Sequence, residues 1–435
     1  VGNTTASAAV PPSPHDRRGG AWRTWLAIGC TGFGGPAGQL AILHREVVER
    51  RSWLTEEEFL AATKVCMLLP GPEAQQVATY AGWRLGGIRG GLLAGTLFVL
   101  PGAVIVAAMA WLHAAGSGLP LISAAFAGTR PAVVALVVLA AWRIGRKSLA
   151  STAAVVVACC ATAALVAGVP FPLVVLVVGA GAWLVPSASQ ATAGDREAAL
   201  DAVPTATATT STASASRQLL VTAAIALAVW GAAFAVVRGC RLAGGRGAEI
   251  ALLFTETTLL SLGGAYAMVP WALDESLARG WLAPAERFDA LAMGEATPGP
   301  LILVVTFIGF LAGWKTDPGG AMPGFEGAAA ATVFAFLPSF ALVFGVAPLV
   351  RTVRPGTRLG RAMSAVGAVV VAAIVVLAAK LARDAFLPNG RADPVALVVG
   401  LASGAALFRK VAGAPLVVAA AAGIAVLRSV LWPPV

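Results

Sequence analysis

Apolar residues run along this chain in long blocks rather than in alternation. Reading the blocks between charged or Gly/Pro-rich stretches gives thirteen segments. They lie near residues 21–43, 59–83, 88–112, 121–143, 149–167, 170–186, 218–237, 249–271, 288–313, 327–350, 361–382, 393–408 and 413–432. The longer blocks reach the ~20 apolar residues that a bilayer-crossing helix needs. Rich in Ala, Val, Leu and Gly, they show no period of two, which predicts helices rather than barrel strands. Residues 1–20 are polar and Pro-rich, lack the apolar core of a signal peptide, and are predicted as a disordered cytoplasmic tail. Residues 187–217, dominated by Ala, Ser and Thr, offer no apolar face and are predicted as a flexible linker.

The two sides of that linker repeat one another. FGGPAGQ (33–39) answers to LGGAYAM (262–268), RRSWLTEEEF (50–59) to ARGWLAPAERF (278–288), and LLPGP (68–72) to ATPGP (296–300). GTLFVLPG (95–102) answers to ATVFAFLPS (331–339), and VLAA stands at 138–141 and at 376–379. Trp53 precedes Pro70 by seventeen positions, as Trp281 precedes Pro298. Shared order and spacing mark an internal duplication. The predicted units are a first repeat at 21–186, an extra helix at 218–237 and a second repeat at 238–435. Six segments followed by one extra crossing invert the second repeat, an architecture of many secondary transporters.

Composition agrees with a membrane protein. The 435 residues are 58% hydrophobic and 12% charged, with mean hydropathy +0.82, where a soluble domain carries about a quarter charged residues. The fold class is therefore an all-α integral membrane protein. The net charge of +10 comes from Lys and Arg clustered between apolar runs. That placement suits lipid headgroups and not nucleic acid. With the N-terminus cytoplasmic, the first half and linker put ten Lys and Arg inside and only Arg45, Arg50 and Arg51 outside. The C-terminus is then periplasmic. Five cysteines without a C-x-x-C pair and three histidines without a ligand spacing give no metal or cofactor site and no catalytic equipment.

The chemistry concentrates at two breaks. Pro70-Gly71-Pro72 and Pro298-Gly299-Pro300 interrupt apolar segments, since proline removes a backbone donor and clashes with the preceding turn. A single such segment reads as a packing kink. The same double break in both repeats, each flanked by an intramembrane glutamate, reads as a site. Beyond the break a half-helix restarts, and its open N–H groups and positive dipole end suit an anion. Glu73, Gln75 and Gln76 follow the first break and Glu295 precedes the second. Arg130, ten residues into its segment, is a candidate for holding the anion directly. Lys64 lies near enough to its segment's start to snorkel. Gly34 and Gly35, paired with Gly263 and Gly264, mark either further breaks or close helix contacts. The glycines from Gly86 to Gly95 read as helix packing. No phosphate-binding loop is present for nucleotide-driven transport.

These motifs resemble the chromate ion transporter family. FGGPAGQLAILHREVVERRSWLTEEEF and CMLLPGPEAQQVATYAGWRLGGIRGGLLAGTLFVLPG are similar to its first repeat, and LGGAYAMVPWAL with GEATPGPLILVVTFIGFLAGW to its second. The resemblance covers most of both halves. It implies a two-repeat bacterial inner-membrane protein that exports chromate and confers chromate resistance. Met67 and Glu73 stand where some members have Gln and Asn, so those side chains are not essential in every member. The alternative within the same fold is a carrier, including an importer, of sulfate or another oxyanion. The sequence is compatible with a homodimer.

Overall fold

The computed structural model describes residues 20–116, 118–184, 212–261, 265–317, 320–347 and 358–431. The expected tail, most of the expected linker, and Gly263 and Gly264 lie outside these residues. Among the described residues there are α-helices, short 3₁₀ and π turns, and no strand. The helices are α1 (Ala21–Thr31), α2 (Gly35–His44), α3 (Glu56–Cys66), α4 (Glu73–Ala115), α5 (Pro120–Ser148), α6 (Thr152–Val166), α7 (Phe171–Leu184) and α8 (Thr212–Gly239) in the first part. The second part has α9 (Gly247–Leu259), α10 (Ala265–Ala278), α11 (Glu286–Ala296), α12 (Val304–Trp314), α13 (Ala321–Val346), α14 (Arg358–Phe386), α15 (Pro394–Phe408) and α16 (Ala414–Leu431). Six of these are long and apolar enough to cross a membrane, and four shorter stretches are apolar. The chain is a multi-pass membrane protein. The extra helix begins at Thr212, six residues before the predicted start, because the last Ala and Ser of the linker sequence join it.

The segments at 21–43 and 59–83 are not single rods. The first breaks at residues 32–34, where Gly34 takes φ +94° and Gly35 φ +69°. Trp25 of α1 then meets Trp53, beyond the end of α2, with ring centroids 5.3 Å apart, so the chain has doubled back. The second breaks at Pro70-Gly71-Pro72. Thr55 starts α3 by accepting a hydrogen bond from the Glu58 N–H, with Glu56, Glu57 and Glu58 at the positive end of the dipole. Beyond the break, α4 itself bends at Gly86 and Gly87. Gly87 (φ 63°, ψ −154°) adopts a backbone open to glycine. This divides α4 into a first limb, 73–85, and a second, 88–115. The run from Gly86 is thus part turn and part packing: a Cβ on Gly86 or Gly87 meets nothing, while one on Gly82 or Gly90 collides with the facing limb.

At the end of the first limb, Arg84 Nη2 pairs with Glu58 Oε1 of the first turn of α3 at 2.9 Å. The entry and exit of 56–85 are therefore neighbours, and this stretch is a hairpin whose tip is Pro-Gly-Pro. The second repeat does the same: Lys315, just past α12, pairs through Nζ with Glu286 Oε2 at the start of α11, 2.8 Å away. The second limb of α4 leaves the mouth of the first hairpin, runs about 42 Å at 1.5 Å per residue, and ends with His113 at the mouth of the second. There His113 Nε2 is 3.8 Å from Glu286 Oε1, and Nδ1 is 3.8 Å from Asp289 Oδ2. The core lies around these hairpins. Val304–Gly313 and residues 74–82 are buried throughout. The outer helices α8, α15 and α16 expose Leu220, Leu227, Leu401, Phe408, Leu416 and Leu427, an apolar surface suited to lipid.

Candidate functional site

Four chain breaks meet in the middle of the molecule, two from each repeat. Gly71, at the first Pro-Gly-Pro tip, donates its N–H to Ser261 Oγ at 2.8 Å. Ser261 follows α9 in the second repeat, and its hydroxyl donates a hydrogen bond to the Thr258 carbonyl, 2.6 Å away. In return Gly299, at the second tip, donates its N–H to the Gly32 carbonyl of the first repeat at 3.1 Å. Gln39 Nε2 reinforces that joint by donating to the carbonyls of Gly299 (2.5 Å) and Gly32 (3.3 Å). Ser261 occupies the repeat position of Gly32, so each Pro-Gly-Pro glycine rests on the other repeat's first break. Gly71 (φ +117°) and Gly299 (φ +101°) hold a left-handed backbone that favours glycine.

The first tip is polar. Pro72 caps α4, and the Gln76 N–H closes the first turn on the Pro72 carbonyl at 3.0 Å. The half-buried Glu73 carboxylate accepts from its own backbone N–H and so lies over the helix N-terminus. Gln76 Nε2 donates to the Pro70 carbonyl (2.7 Å) and Gln75 Nε2 to Thr79 Oγ1 (2.9 Å). Both glutamines are fully buried, and Gln75 Oε1, Gln76 Oε1 and Ser339 Oγ have no hydrogen-bond partner. Polar atoms buried without partners are costly, and three of them surround this one tip. The second tip is apolar. Leu301, Ile302 and Leu303 form a buried 3₁₀ turn after Pro300, and the Pro298 carbonyl packs on Gly102.

Charge reaches the tips from two helices. Tyr266 of α10 donates its hydroxyl to Glu295 Oε1 at 2.5 Å. The last two turns of α5 bring Arg143 within electrostatic reach of both Tyr266 and Glu295, and Lys147 within reach of Glu73. Lys147 Nζ also touches Met67 Sδ at 3.9 Å, just before the first break. A helix N-terminus, two cations and two carboxylates thus converge where the repeats meet. That arrangement can hold an anion and exchange a proton.

The chromate transporter family profile matches residues 20–184 and 248–427, the two halves that carry these breaks. The chain belongs to the chromate transporter family. It is 33% identical to a chromate transport protein of Pseudomonas aeruginosa over 78% of this chain and 74% of that protein. It is 28% identical to a probable chromate transport protein of Synechococcus elongatus over 86% and 87%. It is 25% identical to a chromate transport protein of Cupriavidus metallidurans over 80% and 77%. No solved structure matches it. Membership makes the chain a membrane transport protein rather than an enzyme.

In this family member the predicted residues divide. Pro70, Gly71, Pro72, Glu73, Gln75 and Gln76 gather at one tip, and Pro298, Gly299 and Pro300 at the other, with Glu295 beside Tyr266. Gly34 and Gly35 restart a helix at a tip from the first repeat. Lys64 is exposed in the last turn of α3. Arg130 is elsewhere: its guanidinium lies over the Phe288 ring at 5.9 Å, its Nε has no partner, and it faces Asp289. Phe288 and Asp289 begin α11, whereas the break follows its end, about 14 Å on. Sequence reasoning missed Gln39, Ser261, Tyr266 and Ser339, although three of them stand inside the duplicated motifs. It also passed over Arg143 and Lys147, which it counted as loop charges. Their spacing of four, one helical face, was the signal available.

Proposed function

We propose that the chain is a secondary transporter that carries chromate, a tetrahedral oxyanion, out across the bacterial inner membrane and so gives chromate resistance. The names of its relatives support the substrate. The observation that carries the reading is that each Pro-Gly-Pro tip is bonded to the other repeat's first break, one of them opening a helix N-terminus close to Lys147. Moving two negative charges out of a cell releases about 4.6 kcal/mol per 100 mV of inside-negative potential. That drives a gradient of roughly three decades without nucleotide.

The repeats are proposed to be inverted. A hairpin mouth at each end of the second limb of α4, with tips meeting between them, is what opposed hairpins give. Four stretches then re-enter the side they came from: α1–α2, the hairpin at 56–85, α9–α10 and α11–α12. Nine crossings remain, the second limb of α4 with α5, α6, α7, α8, α13, α14, α15 and α16, in place of thirteen. Parity is unchanged, so the N-terminus stays cytoplasmic and the C-terminus periplasmic. Arg45, Arg50 and Arg51 move to the cytoplasmic side and join the other ten basic residues of the first half, which strengthens the positive-inside bias. A cysteine at Ser52 is expected to resist impermeant thiol reagents added to intact cells; labelling from outside restores thirteen crossings.

Radiolabelled chromate flux into everted membrane vesicles tests the function. The expected result is accumulation that collapses with the membrane potential and resists excess sulfate. Competition by sulfate at equal concentration supports the sulfate reading, and no flux of either ion refutes both.

A further inference from the structure

Arg143 and Lys147 stand one turn apart on the same face of α5, about 6 Å apart at their roots. Arg50, Arg84, Arg279, Arg287, Lys315 and Lys380 are in ion pairs with carboxylates. Arg143 and Lys147 are in no ion pair with a described residue, and both side chains are exposed. Yet Lys147 touches Met67, the residue that caps α3 before the first break, at 3.9 Å. The other repeat has no counterpart. Aligning VLAA with VLAA puts the buried Leu381 and Ala385 in their places.

We propose that Arg143 and Lys147 hold the oxyanion at the first Pro-Gly-Pro tip, together with the N-terminus of α4, and that the negative charges of Glu73 and Glu295 compete with it there. The proposal rests on the transporter reading above and names its site. Gln76 Oε1 and Ser339 Oγ, buried and unpartnered on side chains packed against Gly71, mark this tip as the one built for a polar ligand. Charge counting supplies the mechanism. Two cations and two carboxylates sum to zero. A dianion added to them leaves an uncompensated charge of −2 in a protein interior, which is costly. Proton uptake by one of the two, Glu73 or Glu295, halves that charge and leaves the complex net negative, so the potential still drives it outward. Tyr266 is placed to mediate it, since it donates to Glu295 and faces Glu73. The remaining titratable groups near Glu73 are the Cys66 thiol of α3 and, behind it, the Tyr80 hydroxyl of the first limb. Binding the oxyanion and binding protons then help each other, and by linkage each strengthens the other equally.

The test uses purified full-length protein, equilibrium dialysis with radiolabelled chromate, and a pH indicator in weak buffer. Arg143→Gln and Lys147→Gln are each expected to weaken chromate binding at least about tenfold, the loss of a charge-assisted contact. Arg143→Lys should retain part of the affinity, and Arg146→Gln on the neighbouring face all of it. Wild type should take up protons as chromate binds, and the Glu73→Gln, Glu295→Gln double variant should bind chromate with that uptake largely gone. Monodisperse elution of each variant separates loss of site from loss of fold. Unchanged affinity in both cation variants overturns the site while leaving the transporter reading intact. Unchanged proton uptake in the double variant overturns the competition. If wild type binds neither chromate, sulfate nor molybdate, the transporter reading falls and the site with it.

Discussion

After Pro70-Gly71-Pro72 the chain reads Glu73, Ala74, Gln75, Gln76; after Pro298-Gly299-Pro300 it reads Leu301, Ile302, Leu303, Val304. The backbones of the two turns are alike, with glycine at φ +117° and +101°. Their surroundings are not. The first glycine is faced by Ser261, Ser339 and Gln76, the second by Leu303, the Gly102 backbone and Gln39, whose Nε2 is spent on the Gly299 and Gly32 carbonyls. The Ser339 position corresponds to Gly102, so one repeat places a hydroxyl where the other places nothing but a hydrogen. Duplication supplied two equal frames. Only one kept buried polar atoms without a partner, and the other became the packed floor against which the first works.

The largest effect expected from this difference comes from removing each turn. Replacing Pro70-Gly71-Pro72 by three alanines lets α3 run on into α4, since alanine has the highest helix propensity. Chromate binding should be abolished in dialysis with the protein still folded. The same replacement at 298–300 should also abolish transport, but with a fall in thermal stability, because that tip is sealed core. Equal stability in the two variants would break the distinction. Next in size is the exchange at the equivalent positions. Gly102→Ser drives a Cβ into the Pro298 carbonyl and should cost about 2–3 kcal/mol by overpacking. Ser339→Gly removes an unpartnered hydroxyl and should cost under about 1 kcal/mol. Denaturation in detergent measures both.

The hairpin mouths give smaller, pH-dependent effects. Burial works against the Glu286 carboxylate, but the nearby His113 and the hydrogen bonds from Lys315 and the Ala283 N–H outweigh it and hold the carboxyl at about 2. A depressed carboxylate stabilises the fold above its unfolded value and stops doing so as pH falls through the folded one. Wild type should therefore lose melting temperature between about pH 4.5 and about pH 2, and Glu286→Gln should lack that component. At the other mouth, His44 donates to or accepts from Glu56 at 2.6 Å and Glu49 at 3.1 Å. The hydrogen bond with Glu56, aided by the charges of Glu56 and Glu49, raises its pKa. That contribution is present below the unfolded value near 6.5 and fades as pH rises through the folded one. His44→Ala should lower the melting temperature slightly at pH 5.5 and less at pH 9. A larger loss at pH 9 contradicts the pairing.

Much of this was legible in the chain. The two Pro-Gly-Pro turns break their helices where proline and glycine predict, and the boundary between residues 83 and 88 falls at the bend in α4. The doubling back of 56–85 was not legible, because hydropathy measures how apolar a stretch is and not which way it runs. Its direction is set by Arg84 meeting Glu58, a pairing across 26 positions. Charge misled for the same reason. Arg130 sits deep in its segment by residue count yet lies over Phe288, while Arg143 and Lys147 sit near a helix end by count yet reach the tips. Depth along one helix is a poor guide when helices differ in length and tilt. Gly86 and Gly87, taken for packing, form a turn because a neighbour for a small residue is visible only in three dimensions.

The exchange of glycine N–H bonds has a consequence for assembly. Each half of the chain carries a donor whose acceptor belongs to the other half: Gly71 needs Ser261, and Gly299 needs Gly32. A half made alone keeps its hairpins but is left with one donor and one acceptor unanswered. On the proposed inverted topology, the two halves are a lock whose key is its own inverted copy, closed only when both are inserted in opposite senses. Biogenesis then has a natural checkpoint. A chain whose second half entered the membrane the wrong way round presents two loose tips instead of one sealed junction.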